Sequence, residues 1–223
     1  VAGKAAGWQA KIGGCALSVI SGFMRRLLLA FVPLFCLAQS VPPARLDAYL
    51  LMPEPAALKN AHSRAFGGAL KTVLSPAREI AEAPGVKLYS KEEFARLGIS
   101  VETFTERAKA SAEARLAQLQ PEFVKDDQGK TRYAVYRGDS PLFATLIIAP
   151  SLGKQASALL GGEVWAVLPD RHSLYLFPAN PELLAEFTDD LKLRFDSDPY
   201  AASCEVFLLK PGEAPKVIAT FGD

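Results

Sequence analysis

The sequence predicts an α+β fold: a helical N-terminal part followed by an antiparallel sheet built of hairpins with helices packed on it. Three observations lead there. Pairs of strand-like runs flank short turn sequences at 126–130, 169–172 and 210–213. Runs with helical apolar spacing separate those pairs, and Ala, Leu, Glu, Lys and Arg dominate residues 43–120. Hairpins alternating with helices favour antiparallel pairing and one packed face over a doubly wound parallel sheet.

Ahead of the fold stands a leader. Met24 to Ser40 reads as a secretory signal peptide, with Arg25 and Arg26 as a positive n-region and Leu27 to Leu37 as a short apolar stretch. Cleavage is expected between Ala38 and Gln39. Leu27 to Ala38 would span only about 18 Å as a helix, short of the roughly 20 residues a bilayer requires. The membrane is therefore expected to be met only transiently, through this signal. Arg25-Arg26 lacks the polar residue that should precede a twin-arginine signal, and bulky Phe35 disfavours a lipoprotein at Cys36. With Met24 directly before the n-region, residues 1–23 are expected to be an upstream extension from an alternative start, leaving 24–38 as the signal and 39–223 as a single domain. That domain divides into a helical part, 39–120, and a sheet-containing part, 121–223.

In the helical part, Pro43 to Met52 and Ala56 to Leu74 are expected to be helices, the second weakened at Gly67-Gly68. Ser75 to Val86 is read as a connector, because Pro76, Pro84 and Gly85 punctuate it. Ser90 with Glu93 has capping-box spacing, so a short helix should run to about Leu97 and stop at Gly98. Ser100 opens a longer helix whose apolar stripe is Val101, Phe104, Ala108, Ala112, Leu116 and Leu119, closed by Pro121.

In the second part, Phe123 to Lys125 and Arg132 to Tyr136 form the first hairpin, with Gly129 where a left-handed residue is needed. Leu142 to Ile148 is a continuous apolar run that periodicity leaves open between strand and helical turn. Pro150 should begin a helix ending at Leu160, before Gly161-Gly162. Glu163 to Leu168 and Ser173 to Phe177 form the second hairpin. Asn180-Pro181-Glu182 is a cap, a first-turn proline and a first-turn acid; they open a helix presenting Leu183, Leu184, Phe187, Leu191 and Phe195. Glu205 to Leu209 and Lys216 to Phe221 complete the third hairpin.

Composition narrows function by exclusion. The leader holds Lys4, Lys11, Arg25 and Arg26 and no acid, so its loss turns a formal charge of +1 into about −3. No basic field remains to hold nucleic acid. Cys204 is the one thiol left, and its apolar run suits a buried small hydrophobe. Two histidines and one thiol give no metal cluster, and phosphate-binding glycine loops, nucleophile elbows and dinucleotide fingerprints are missing. Asp196-Ser197-Asp198 opens like a calcium loop but runs into Pro199-Tyr200, which suits a solvated turn better. No catalytic, cofactor-binding or metal-ligating residue is assigned.

The best polar cluster is Asp170-Arg171-His172 at the second hairpin's tip. His172 could act as a general base oriented by Asp170, with Arg171 receiving an anion. The plainer reading gives Asp170 an Asx turn and leaves Arg171 and His172 solvated. Serines are scattered and no strained nucleophile motif accompanies His62 or His172, which disfavours a Ser-His-Asp triad.

From about Arg132 onward the chain resembles the YtpQ-like bacterial proteins, a family without an established activity. The residues that carry the likeness are Pro150-Ser151-Leu152 leading to Leu160-Gly161-Gly162, then Val164 through Pro169-Asp170-Arg171-His172 to Tyr175, and a terminal strand pair beginning at Cys204. His172 departs from the acid that the family often has there. The expectation is an exported bacterial protein, periplasmic or extracellular, that binds an unknown protein or small-molecule partner without catalysis. The contact would be made through the sheet or the 170–172 rim. A hydrolase using His172 as general base and an envelope structural protein are the alternatives.

Overall fold

The computed structural model describes residues 46–81 and 85–221. The signal peptide, its cleavage at Ala38–Gln39 and the upstream extension lie outside them. Two antiparallel sheets organise the described chain, within one unit spanning Ala44–Asp223.

The larger sheet has six strands in the order β10-β9-β7-β8-β6-β5. Its three hairpins are those legible in the sequence: β5 (Glu122–Lys125) with β6 (Thr131–Arg137), β7 (Val164–Val167) with β8 (Ser173–Pro178), and β9 (Glu205–Leu209) with β10 (Lys216–Thr220). The middle hairpin lies between the other two: β8 pairs with β6, aligning Val135 with Tyr175, and β7 pairs with β9, aligning Ala166 with Phe207. Gly129 has φ +80°, the left-handed backbone its turn requires.

Both faces of this sheet are covered, where the sequence suggested one. On the first, Ala134, Tyr136, Ala166, Leu174, Leu176 and Phe207 meet α3 (Leu152–Leu160), and the same apolar cluster extends to α2 (Val101–Leu116), which packs on the segments Phe143–Ile148 and Leu50–Pro55. Helix α2 buries Phe104, Ala108, Ala112 and Leu116, one residue per turn, and the two alanines let it sit close to its neighbours. On the second face, Val135, Val167, Tyr175, Phe177 and Val206 meet Leu184 of α4 (Pro181–Ala185) and Leu191 of α5 (Thr188–Ser197). The reason for the second layer is in the strands themselves. Tyr133 and Val135, Trp165 and Val167, and Tyr175 and Phe177 make the second face as apolar as the first, so it too must leave water. The single helix expected after Asn180 is two, broken where Phe187 becomes the cap of α5. Asn180 caps α4 as expected, accepting from the Glu182 and Leu183 amides.

The run Leu142 to Ile148 resolves as a 3-10 helix over Phe143–Ile148 with Ala144 through Ile148 buried. Helix α3 starts at Leu152, slightly beyond the Pro150 start expected. It approaches β9 so closely that a Cβ on Gly153 would stand 2.4 Å from the Lys210 carbonyl oxygen.

The largest correction concerns the described residues between 46 and 88. The helices expected over Pro43–Met52 and Ala56–Leu74, and the connector over Ser75–Val86, give way to a second sheet. Its strands are β1 (Leu50–Pro55), β2 (Arg64–Ala65), β3 (Thr72–Ile80) and β4 (Gly85–Leu88). Strand β3 is central. β1 runs along one edge from Thr72 to Ala77, while β2 and β4 share the other, pairing with Val73–Leu74 and with Ala77–Ile80. The interruption between them falls at Ser75-Pro76, where the proline has no N–H to donate. Pro53 is tolerated because β1 is an edge strand. Helix fails over 56–74 for local reasons as well. One 3-10 turn at Ala56–Leu58 is followed by an Asx turn, in which Asn60 accepts the His62 amide at 2.9 Å.

The link between the sheets, by contrast, follows the capping pattern of its sequence. Ser90 forms a complete capping box with Glu93 on α1 (Lys91–Ala95), and Ser100 caps α2 by accepting the Thr103 amide.

Candidate functional site

The Asp170–Arg171–His172 turn is a joint of the fold, and its three side chains diverge. Asp170, 2% exposed, makes the expected Asx turn: Oδ1 accepts the His172 amide at 2.8 Å and the Ser173 hydroxyl at 2.9 Å, while Oδ2 lies 3.5 Å from Arg194. An isolated bridge pairs Asp170 with Ala201, and the Arg171 amide donates to the Tyr200 carbonyl. The Asp170 carboxylate therefore holds its own turn and does not orient the imidazole. The His172 ring meets Tyr200 edge-on, with centroids 6.1 Å apart, and makes no side-chain hydrogen bond among the described residues.

Arg171 is not solvated, contrary to the plainer expectation. Its guanidinium donates to Glu54 Oε1 at 2.5 Å and lies over the Tyr200 ring. Glu54, on β1, is 1% exposed. Burial pushes its carboxyl above the ordinary carboxylate range, outweighing the nearby Ser75 hydroxyl and the charge of Arg171. Ser75 in turn bonds Ser63 at 2.8 Å. Glu54 Oε2 and Arg171 Nε are buried without a protein partner. The pair ties β1 of the smaller sheet to the β7–β8 turn of the larger. Glu54 was missed in the sequence because a glutamate between two prolines reads as surface.

Other residues singled out earlier fall into structural roles. Cys204 is buried, and loss of hydration raises its thiol pKa above the ordinary value. Asp198 accepts the Tyr200 amide and Asp196 pairs with Lys192, so both serve the end of α5. His62 stacks on Phe94 at 4.2 Å. Among the described residues, no group of three or more His, Cys, Asp or Glu could hold a metal ion. No described helix is long and apolar enough to cross a membrane.

An apolar concavity lies elsewhere, between the two sheets. A cleft of about 300 Å³ is walled by Ala65 of β2 with Phe66 and Gly67 after it, Leu74 of β3, Lys109 of α2, Ile148–Pro150, and the β9–β10 turn Gly212–Pro215. Phe66 is fixed by edge-on packing against Phe207, at 5.0 Å between centroids. Its loop is held twice. Gly67 accepts the Val217 amide, and Glu205 Oε1 accepts the amides of Leu70 and Lys71 at 2.9 and 3.1 Å. Glu205 is itself 1% exposed, so a buried carboxylate is committed to holding that loop in place. On the far wall, Gly212 has φ +77° and sets the course of the turn that carries Glu213. The floor is apolar; Lys109 and Glu213 are the charged residues lining it. Cues to these positions are weak in the sequence, since Phe66 and Lys109 both lie in segments with helical composition.

A smaller hollow of about 140 Å³ opens on the second face, among Tyr133, Tyr175, Phe177, Phe187, Arg137 and Arg194. Its arginines are engaged: Arg137 grips Glu122 through two nitrogens at 3.0 and 2.7 Å, and Arg194 faces Asp170.

No protein-family model matches the chain, and no similar curated protein or solved structure is found.

Proposed function

We propose that this protein is an exported, non-enzymatic binding domain whose binding site is the Phe66 cleft. The observation that carries the reading is the cleft itself: an apolar concavity assembled from five separate chain segments and held by a buried carboxylate. Its volume falls at the lower end of small-molecule sites. Export rests on the leader pattern at Met24–Ala38, and a YtpQ-like relationship of the second half would be compatible with both.

The cleft is preferred over the 170–172 rim because Asp170 and Arg171 are consumed by internal contacts. The hydrolase alternative loses support for the same reason, since the carboxylate next to His172 in sequence serves backbone and Ser173.

An amide-resolved NMR screen with small apolar fragments tests the site. Shifts should cluster at Phe66, Gly67, Ile148, Ala149 and Gly212–Glu213. Ala214→Trp, on the exposed turn, should abolish them without lowering the melting temperature. Shifts confined to another surface, or undiminished in that variant, would refute the assignment.

A further inference from the structure

Resting on the cleft as binding site, we propose that its ligand is a small zwitterion with an apolar body: a free α-amino acid bearing a large hydrophobic side chain. Three features of the cleft specify three parts of that molecule. Phe66, Leu74 and Ile148 line an apolar floor, which rewards burial of a hydrocarbon or aromatic side chain. Lys109 stands on the helical wall and Glu213 on the turn wall, so the lining carries one charge of each sign. A ligand with a carboxylate alone would meet Glu213 as a like charge, and one with an ammonium alone would meet Lys109. A molecule with both groups is complementary to both walls.

The two charged residues are available for this task. Lys109 pairs with Glu106 at 2.8 Å three residues earlier on α2, with side-chain exposures of 41% and 71%. Exposed pairs of this kind are weak and readily exchanged. Glu213 is exposed at the turn tip. The helical wall is rigid because α2 is anchored through Phe104, Ala108 and Ala112, so the Lys109 stem starts from a fixed point. Size limits the ligand as well. About 300 Å³ suits one amino acid and leaves little room for a chain of several.

Calorimetric or NMR titration of the protein with four probes decides the question: L-phenylalanine, 3-phenylpropionate, phenethylamine and L-serine. L-phenylalanine should bind at least tenfold more tightly than either singly charged phenyl compound, and L-serine should not bind measurably. Lys109→Met should reduce L-phenylalanine affinity about tenfold and leave phenethylamine unweakened. Glu213→Gln should reduce it similarly and leave 3-phenylpropionate unweakened. Equal binding of the three phenyl compounds, preference for a singly charged one, or insensitivity to both substitutions would overturn the amino-acid assignment while leaving the cleft a binding site. Failure of these probes together with all apolar fragments would overturn both.

Discussion

Arg171→Met removes the cation from a carboxylate with almost no access to water. Glu54 is 1% exposed, its Oε1 takes the guanidinium at 2.5 Å and its Oε2 has no protein partner. Removing one member of such a buried pair costs about 3–5 kcal/mol, because the remaining charge is left uncompensated. At about 2–4 °C per kcal/mol for a domain of this size, the melting temperature should fall by roughly 10 °C. The loss should depend on pH. Burial already lifts the folded-state pKa of Glu54 above its ordinary value of 4.5, and without Arg171 it rises further. A carboxyl raised in this way keeps its proton in the folded state after the unfolded chain has lost it. Stability therefore declines as pH rises from the unfolded pKa through the folded one, then levels off. Urea denaturation followed by tryptophan fluorescence should show a deficit that is smallest near pH 4.5 and grows toward pH 7. The double variant Glu54→Leu, Arg171→Met should recover most of it, since an apolar pair leaves no buried charge. A deficit below about 1 kcal/mol at pH 7, or one unchanged between pH 4.5 and 7, would refute the claim that this pair is sealed from solvent.

Gly153→Ala should destabilise despite the roughly 1 kcal/mol helix-propensity gain of alanine, because its Cβ would stand 2.4 Å from the Lys210 carbonyl oxygen. An overpacking cost of about 1–3 kcal/mol predicts a lowered melting temperature, and a raised one would refute the close approach of α3 to β9. Ser100→Ala removes the side-chain acceptor of the Thr103 amide and should cost about 1 kcal/mol in urea titration, whereas Ser100→Asp should preserve stability. The Cys204 thiol should resist an aromatic disulfide reagent in the native protein and react fully in denaturant, since it is buried and its pKa is raised. Rapid native labelling would contradict that burial.

The parts of the fold legible in the sequence are those governed by local chemistry. Ser90, Ser100 and Asn180 announce helix starts because a cap acts within three residues. Gly129 and Gly212 mark turns because their backbones require positive φ. The β1–β4 sheet was illegible because its signals are tertiary. Leu50, Leu51, Met52, Pro53 and Glu54 are all buried, so β1 shows no alternation to distinguish it from an apolar helical run. Strand β3 carries Ser75, Pro76 and Ala77, residues of low strand preference that are retained by partners on both edges. The site was hidden for a related reason. The carboxylate that holds the Phe66 loop, Glu205, lies 135 residues from the Leu70 amide it accepts, and no local pattern can encode that pairing.

The strand order of the larger sheet also sets a hierarchy of opening. Strands β7 and β8 each have a partner on both sides, while β5 and β10 close the edges. Either outer hairpin can detach and leave the central one intact, but separation of β7 from β8 must divide the sheet into halves. Backbone amides of Val164–Val167 and Leu174–Phe177 should thus exchange with solvent only on global unfolding, and those of the outer hairpins through smaller excursions. The β9–β10 turn forms one wall of the Phe66 cleft, so the cleft borders a segment able to open while the centre remains closed. Opening of that hairpin would also release Glu205, Phe207 and Val217 from the Phe66 loop, so the cleft keeps its shape only while this edge of the sheet stays closed.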